Sequence, residues 1–337
     1  MIVVLNYHHL KELYFNKNIH FEWINILNRP DVEIQLVVTD EEREYLFDSS
    51  SNIYKFMFLF NNGSFFKIFN KKLDFDKNPN YIFFDSHLNE LKTGSLLVNQ
   101  NTFENPFKLQ YFKTLIKGKT SNNWKTIFNQ RNLESNALIL NDPYIFHTKE
   151  DEKNYEIRDR NIINLIDTIL PDNIDIPYQI FINTSIIMDT IDENRGPRNK
   201  KYYDQFILDL IDRIENLRAY KIVVEIVIGR AIHKRKLYTN FLNVTTDKGF
   251  KIFDNTDSKV LEHNDILIET MFTRNNQSQG DTQYDEMKNR MYELKYSINK
   301  SLEFINSKDY NTSNSFYYSN LKQEGQIEIK NRLYHAT

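Results

Sequence analysis

The 337-residue chain contains no cysteine. This excludes disulfide bonds, thiol nucleophiles and thiolate metal sites, and it suits a reducing compartment. No apolar run approaches the ~20 residues that a membrane-spanning helix needs. Residues 1–5 are apolar but follow no basic leader, which predicts a first strand and not a signal peptide. We therefore expect a soluble, cytoplasmic protein without a membrane span.

The chain also lacks an excess of charge of either sign, since 43 Lys and Arg oppose 46 Asp and Glu. It is therefore no general binder of polyanions, and any contact with nucleic acid has to come from a local basic patch. The few glycines form no glycine-rich phosphate loop, which argues against a nucleotide-driven motor. Only the adjacent His8 and His9 approach ligand spacing, and neighbours on a strand face opposite ways, so we expect no metal and no cofactor.

Apolar residues make up 40% of the chain, with 25 Phe and 20 Tyr, which is ample for a core. Over the first third, β-branched and aromatic runs predict strands at 2–5, 33–38, 54–60, 65–69, 81–84 and 95–98. Short helices are predicted at Phe21–Leu27 and 41–47, and Asn61-Asn62-Gly63 predicts a hairpin turn. Five lysines between 108 and 125 favour a boundary near residue 118. Residues 1–118 are thus predicted to be a mixed α/β domain with a mixed sheet and few helices.

From residue 119 onward, strands and helices alternate. Strands are predicted at 137–140, 177–182, 220–228, 236–244, 250–253 and 265–271, and helices at 121–130, 155–170 and 202–217. Short apolar strands between amphipathic helices are typical of βαβ units, so we expect an α/β domain with a largely parallel sheet flanked by helices. A long helix at 282–306 closes this domain, 119–306, and is expected to pack on it. Residues 307–337 are predicted to be a polar tail.

One short motif follows the strand at 220–228, with His233, Arg235 and Asn240 in the spacing His-x-Arg-x4-Asn. It resembles the His-x-Lys-x4-Asp motif of the phospholipase D-like superfamily, and Gly249 lies roughly where that family has a Gly-Ser pair. The preceding elements also follow the order of a family half-domain. That order is an apolar strand ending in a turn such as Asp142-Pro143-Tyr144, then helix, strand, helix and strand. The resemblance covers about residues 119–255 and implies a phospholipase D-like fold with an altered motif.

The resemblance implies that one histidine attacks phosphorus and a second protonates the leaving oxygen, while lysines hold the phosphate and acidic residues orient the histidines. His233 suits either histidine role. Arg235 keeps the positive charge and adds a bidentate fork for phosphate. Asn240 can orient a ring but cannot stabilise imidazolium as a carboxylate does, so we expect slow turnover with phosphate binding retained.

The family needs two such motifs. His147, Lys149 and Asn154 repeat the spacing, but acidic residues crowd them and we treat the match as coincidence. A homodimer that pairs two copies of His233 is the favoured route to catalysis. Asp142 is either a site residue at a strand end or a turn former, and the turn is favoured.

Further basic residues extend the candidate phosphate-binding surface: Arg230, Lys234, Lys236, Arg195, Arg198, Lys200 and Lys201. The first interpretation is a phospholipase D-like accessory protein that binds nucleic-acid phosphates with protein partners, in a bacterial defence or mobile-element complex. The second is a metal-independent phosphodiesterase or nuclease that uses His233 across a homodimer. The third is a non-catalytic protein-interaction module built on the long helix and the tail.

Overall fold

The computed structural model describes residues 1–57, 60, 66–88, 92–99, 103, 105–120, 123–129, 132–146, 155–185, 200–229, 231–254, 259–273, 283–307 and 315–336. Its strands are β1 (Ile2–Asn6), β2 (Glu33–Val37), β3 (Phe66–Ile68), β4 (Tyr81–Phe83), β5 (Leu96–Leu97), β6 (Gln110–Leu115), β7 (Ala137–Asn141), β8 (Tyr178–Ser185), β9 (Ile222–Gly229), β10 (Arg235–Thr239), β11 (Leu242–Thr246), β12 (Asn264–Thr270) and β13 (Phe316–Ser319). Its helices are α1 (Tyr7–Phe15), α2 (Phe21–Leu27), α3 (Asp40–Phe47), α4 (Asn52–Met57), α5 (Asn105–Lys108), α6 (Trp124–Phe128), α7 (Tyr155–Arg158), α8 (Asn164–Ile169), α9 (Lys200–Glu215), α10 (Gln283–Asn306) and α11 (Arg332–His335). The chain is an α/β protein, and its described residues form two sheets.

The first sheet has the strand order β3-β2-β1-β4-β5, and every neighbouring pair in it is parallel. The prediction of a mixed N-terminal sheet with few helices is therefore wrong. Parallel neighbours need a crossover connection, and the chain supplies helices for this purpose. Helices α1 and α2 connect β1 to β2, and helices α3 and α4 connect β2 to β3.

Helix α4 occupies part of the segment 54–60, which the sequence predicted to be a strand. The Ser51 hydroxyl accepts a hydrogen bond from the backbone N–H of Tyr54 at 3.0 Å, close to the start of the helix. Ile53, Phe56 and Met57 are buried, and their spacing of three and four suits one face of a helix. The aromatic content of this segment favoured a strand, but the three-and-four spacing of its buried residues favours a helix. The turn predicted at 61–63 lies outside the described residues.

The larger sheet has eight strands in the order β13-β9-β8-β7-β10-β11-β12-β6. Strands β7, β8 and β9 run parallel, whereas the other five neighbouring pairs are antiparallel. The prediction of a largely parallel sheet is therefore wrong. The main reason for this error is the segment 236–244, which was predicted as one strand and instead contributes to the antiparallel hairpin β10–β11. The Thr239 hydroxyl accepts from the backbone N–H groups of Phe241 and Leu242 at 3.3 and 3.1 Å and so stabilises the turn.

The two faces of the larger sheet pack against different partners, because successive side chains of a strand point to opposite sides. One face, here called the outer face, carries Leu138, Leu140 and Leu237 and packs with residues of α6, α8 and α9. The opposite face, here called the inner face, carries Ile139 and Tyr238. It shares one core with the first sheet and with α10.

The long helix predicted at 282–306 is confirmed as α10. Its buried residues recur every three or four positions and belong to the core of the inner face: Met287, Met291, Leu294, Ile298, Leu302 and Ile305. The helix thus packs on its own chain. Among the helices that the structure describes, none is both long enough and apolar enough to cross a membrane.

The edge strands of the larger sheet come from segments that the sequence assigned elsewhere. Strand β6, which precedes the boundary predicted at residue 118, pairs with β12. Strand β13, within the predicted polar tail 307–337, pairs with β9, and the chain beyond it buries Ile329 and Leu333. Alternate residues of β6 are exposed, and β13 directly follows the polar run 311–315, which is why the sequence placed both outside the sheet. The division into 1–118, 119–306 and 307–337 does not coincide with the two sheets.

Candidate functional site

The motif lies at the edge of the larger sheet where β7 and β8 end and β10 begins. The register of β7 with its neighbours, continued by one residue, places Asp142 opposite Arg235 of β10 and beside Thr184 of β8. Arg235 in turn pairs with Thr246 of β11. Because paired residues share a face, these four side chains form a row on the outer face, here called the outer-edge row. Carboxyl ends of parallel strands are where α/β sheets commonly place ligands.

Asp142 is the buried anchor of this row, with 1% of its surface exposed. Its carboxylate accepts hydrogen bonds from the backbone N–H groups of Tyr144 at 2.9 Å and Phe250 at 2.8 Å. Burial raises the pKa of Asp142, and the two backbone donors and the nearby charge of Arg235 offset part of that rise. The expected turn former is thus also part of the site, because it faces the motif arginine.

Gly249 packs directly against this carboxylate. Its φ of +103° is unfavourable for any other residue, and a Cβ atom there would lie 2.6 Å from Asp142 Oδ2 and 3.2 Å from Arg235 Cδ. The resemblance singled out this glycine by its place in the sequence. The structure gives the physical reason, which is close approach of the backbone to the outer-edge row.

His233 and Arg235 both contact Tyr144, the third residue of the turn after β7. The Tyr144 hydroxyl lies 2.9 Å from Nδ1 of His233. The Arg235 guanidinium carbon lies 5.1 Å from the centre of the Tyr144 ring, within cation–π range. Arg235 also donates to the backbone carbonyl of Asp247. The structure therefore brings the predicted histidine and arginine together through a tyrosine.

Three buried polar atoms of the outer-edge row have no hydrogen-bond partner within the described part of the chain. They are Arg235 Nε, Thr246 Oγ1 and Thr184 Oγ1. Unsatisfied buried donors and acceptors are rare in folded proteins, because each costs roughly 1–3 kcal/mol. Arg235 and Thr246 are direct cross-strand neighbours, so their Cβ atoms lie about 5 Å apart. One anion could accept hydrogen bonds from both.

Lys234 and Lys236, predicted to bind phosphate, instead pair with acidic residues of α10. Lys234 Nζ lies 3.5 Å from Glu293, and Lys236 Nζ lies 3.9 Å from Glu286. Lys236 is on the inner face, where burial lowers the pKa of its ammonium group and Glu286 partly offsets this. Neither lysine joins Arg235 in the outer-edge row, because alternation along the strand turns Lys236 to the opposite face.

Asn240 directly follows the far end of β10, five residues and about 16 Å from Arg235 at ~3.3 Å per residue. It is fully buried. Its Oδ1 accepts from the backbone N–H groups of Asn136 and Ala137 at 2.8 and 3.1 Å. Its Nδ2 donates to the Pro79 carbonyl at 2.8 Å and to the side-chain oxygens of Asn136 at 3.0 Å and Asn80 at 3.3 Å. The expected role in orienting His233 is therefore not supported by the geometry, and Asn240 instead joins β7 to the chain before β4.

The remaining predicted site residues lie partly outside the described residues. This holds for Arg230, Arg195 and Arg198, and for the second spacing match at 147–154. The backbone of Lys200 and Lys201 forms the start of α9. Over the described ranges, no group of three or more His, Asp or Glu side chains could hold a metal ion.

Tyr144 and Thr246 are the site residues that sequence reasoning missed as functional groups. Tyr144 had a signal, because the Asp-Pro-Tyr turn follows an apolar strand, but its contact with a histidine 89 positions away depends on the sheet. Thr246 had none, since a threonine in a strand is ordinary.

The chain matches no protein-family model, and no curated protein matches it. The geometry of the outer-edge row and of His233 therefore has to carry the functional argument.

Proposed function

We propose that this chain is a phospholipase D-like protein that binds the phosphate backbone of nucleic acid at His233 and Arg235. The observation that carries the proposal is the pair formed by Arg235 and the exposed His233, which both contact Tyr144. The buried Nε of Arg235 has no partner among the described residues. A guanidinium with an unused donor is suited to the paired oxygens of a phosphate.

The surroundings support an anion more than a cation. Thr246 offers a buried hydroxyl beside Arg235, and Lys248 is exposed one residue before Gly249. Among the described residues of this edge, the buried carboxylate is that of Asp142, and it already accepts two backbone hydrogen bonds. It also lies near the positive charge of Arg235, which offsets part of the effect of its burial.

A polymer backbone fits the site better than a small enclosed ligand. His233 is exposed at the sheet edge. Small-molecule sites usually bury most of the ligand in a concave pocket. Phosphate groups of a strand, by contrast, can contact an exposed edge while the rest of the polymer remains in solvent.

The proposal is tested by fluorescence anisotropy with labelled single-stranded DNA and RNA oligonucleotides at several salt concentrations. Arg235→Gln is expected to weaken binding about tenfold and to reduce the slope of log K against log [salt] by roughly 0.7–0.9, because one phosphate contact is lost. His233→Ala, at an exposed position, is expected to weaken binding without a change in the thermal unfolding midpoint.

Lys234→Gln is the matched control. It removes the same charge one residue from Arg235, but from a side chain that pairs with Glu293 of α10. We expect it to leave affinity and salt slope nearly unchanged. Equal losses for Lys234→Gln and Arg235→Gln, or no loss for either, would contradict the proposed site. Cleavage of the oligonucleotides in EDTA that His233→Ala abolishes would assign a nuclease activity to the same site.

A further inference from the structure

The hydrogen bond between Tyr144 and His233 bears on which ring nitrogen of the neutral imidazole carries the proton. A neutral imidazole carries its proton on one nitrogen and has a lone pair on the other. The Tyr144 hydroxyl lies 2.9 Å from Nδ1, so either the hydroxyl donates to Nδ1 or Nδ1–H donates to the phenolic oxygen. These two arrangements leave opposite groups on the exposed nitrogen Nε2, namely N–H in the first and a lone pair in the second.

Arg235 distinguishes the two arrangements. Its guanidinium lies 5.1 Å from the centre of the Tyr144 ring. A cation over a phenol ring withdraws electron density from the oxygen, which makes the O–H a stronger donor and the oxygen a weaker acceptor. The hydroxyl therefore donates to Nδ1, and the proton of the neutral imidazole resides on Nε2.

We propose that Tyr144 is a positioning residue that holds neutral His233 as the Nε2–H tautomer. His233 then presents a hydrogen-bond donor to a phosphate oxygen and not a lone pair to phosphorus. The identity of the ligand rests on the proposed function, whereas the tautomer does not.

Of the two catalytic roles that the sequence left open for His233, this assignment disfavours the nucleophile. A nucleophile needs a lone pair on the nitrogen that reaches phosphorus. A binding group, or an acid that protonates a leaving oxygen, needs a proton there. Because the Arg235 guanidinium favours donation by the Tyr144 hydroxyl, the proton that a binding group or an acid needs is present on Nε2 of neutral His233.

The tautomer is tested by long-range 1H–15N NMR of the imidazole groups in 15N-labelled protein at pH 8. His335 is an internal reference, because its Nε2 lies 2.6 Å from the Ile329 carbonyl oxygen and has to carry a proton to make that bond. We expect His233 to show the same Nε2–H pattern as His335. In Tyr144→Phe, the Nδ1 resonance of His233 should move towards that of a free imidazole nitrogen, with His335 unchanged. An Nδ1–H pattern for His233, or no response to Tyr144→Phe, would overturn the inference.

A binding experiment separates the inference from the proposed function. Glutamine keeps a side-chain N–H donor but has no imidazole lone pair. With the same labelled oligonucleotides, His233→Gln should bind within about threefold of the native chain, whereas His233→Ala binds roughly tenfold more weakly. Tyr144→Phe should weaken oligonucleotide binding when it is introduced into the native chain, but not when it is introduced into the His233→Gln variant. Equal losses for glutamine and alanine would contradict the donor role. Absence of binding by the native chain would contradict the proposed function and leave the NMR result to decide the tautomer.

Discussion

Asn240→Asp is the substitution for which the motif and the structure predict opposite results. The motif predicts improvement, since aspartate is the residue that the resemblance implies. The structure predicts loss of stability, because Asn240 Nδ2 faces three oxygen atoms, of Pro79, Asn80 and Asn136. A carboxylate has no hydrogen to donate, so it would lose all three contacts and place a charge among acceptors in a fully buried position.

The size of the loss follows from the protonation of the introduced carboxyl. Protonation restores one donor, so the folded state favours the neutral form and the pKa of the introduced group rises above its unfolded value of about 3.9. Below that value the variant should approach the native stability. With rising pH the deficit grows by about 1.4 kcal/mol per unit until the folded pKa is reached. If the group stays neutral to pH 7, the loss is at most about 4 kcal/mol.

Urea unfolding at pH 4 and pH 7 measures this loss directly, with oligonucleotide binding and cleavage measured in parallel. We expect the midpoint to fall strongly at pH 7 and little at pH 4, with unchanged phosphate affinity in the folded fraction. Asn70→Asp is the control, because Asn70 is exposed and its Oδ1 accepts from the Lys72 N–H, as a carboxylate also does. Its effect should stay within about 0.5 kcal/mol. A stable Asn240→Asp variant with raised turnover would refute the structural role of Asn240.

Two further predictions concern stability. Ile298→Ala removes a fully buried side chain of α10 from the inner-face core and should cost about 2–5 kcal/mol in urea unfolding, whereas Tyr292→Ala, 76% exposed on the same helix, should cost under about 0.5 kcal/mol; similar values for both would argue that α10 does not pack as described. Glu225 is fully buried and accepts hydrogen bonds from the Lys330 N–H at 2.9 and 3.0 Å and from the Tyr317 hydroxyl at 3.0 Å. Burial raises the pKa of Glu225 despite these donors, so its contribution to stability is fully present below the unfolded value of about 4.3 and is lost as pH rises through the folded pKa. The unfolding free energy of Glu225→Gln should therefore decline less between pH 4 and pH 7 than that of the native chain, and parallel curves would contradict this account.

The structure also changes what a truncation after residue 281 can test. For a protein-interaction module, this truncation removes the long helix and the tail on which that interpretation rests. However, α10 contributes its buried face to the shared core, and β13 pairs with β9. Truncation would therefore expose the inner face of the larger sheet. Substitutions on the exposed side of α10, such as Tyr292→Ala, are the sharper test of an interaction surface.

The sequence was sufficient for features that depend on local periodicity. The spacing of Leu294, Ile298 and Leu302 predicted α10, and the apolar runs at 137–140 and 220–228 predicted two central strands, because burial imposes a period on the chain. The same reasoning failed at α4, where aromatic content favoured a strand. It also failed at β6, whose alternate residues are exposed, and at β13, which follows the polar run 311–315.

By itself, the sequence determined the α/β class, the order of most elements and the placement of His233 and Arg235 just after a buried strand. Only the tertiary structure decided how the strands pair, and with it which face each motif residue occupies. Arg235 and Lys236 are adjacent cations of similar chemistry, yet one joins Asp142 and Thr246 on the outer face and the other is buried near Glu286 on the inner face. Strand pairing and side-chain alternation are set by contacts between residues far apart in the chain, and no local pattern encodes them. The same reason explains Asn240, which fills a motif position but makes its hydrogen bonds more than 100 residues earlier in the chain.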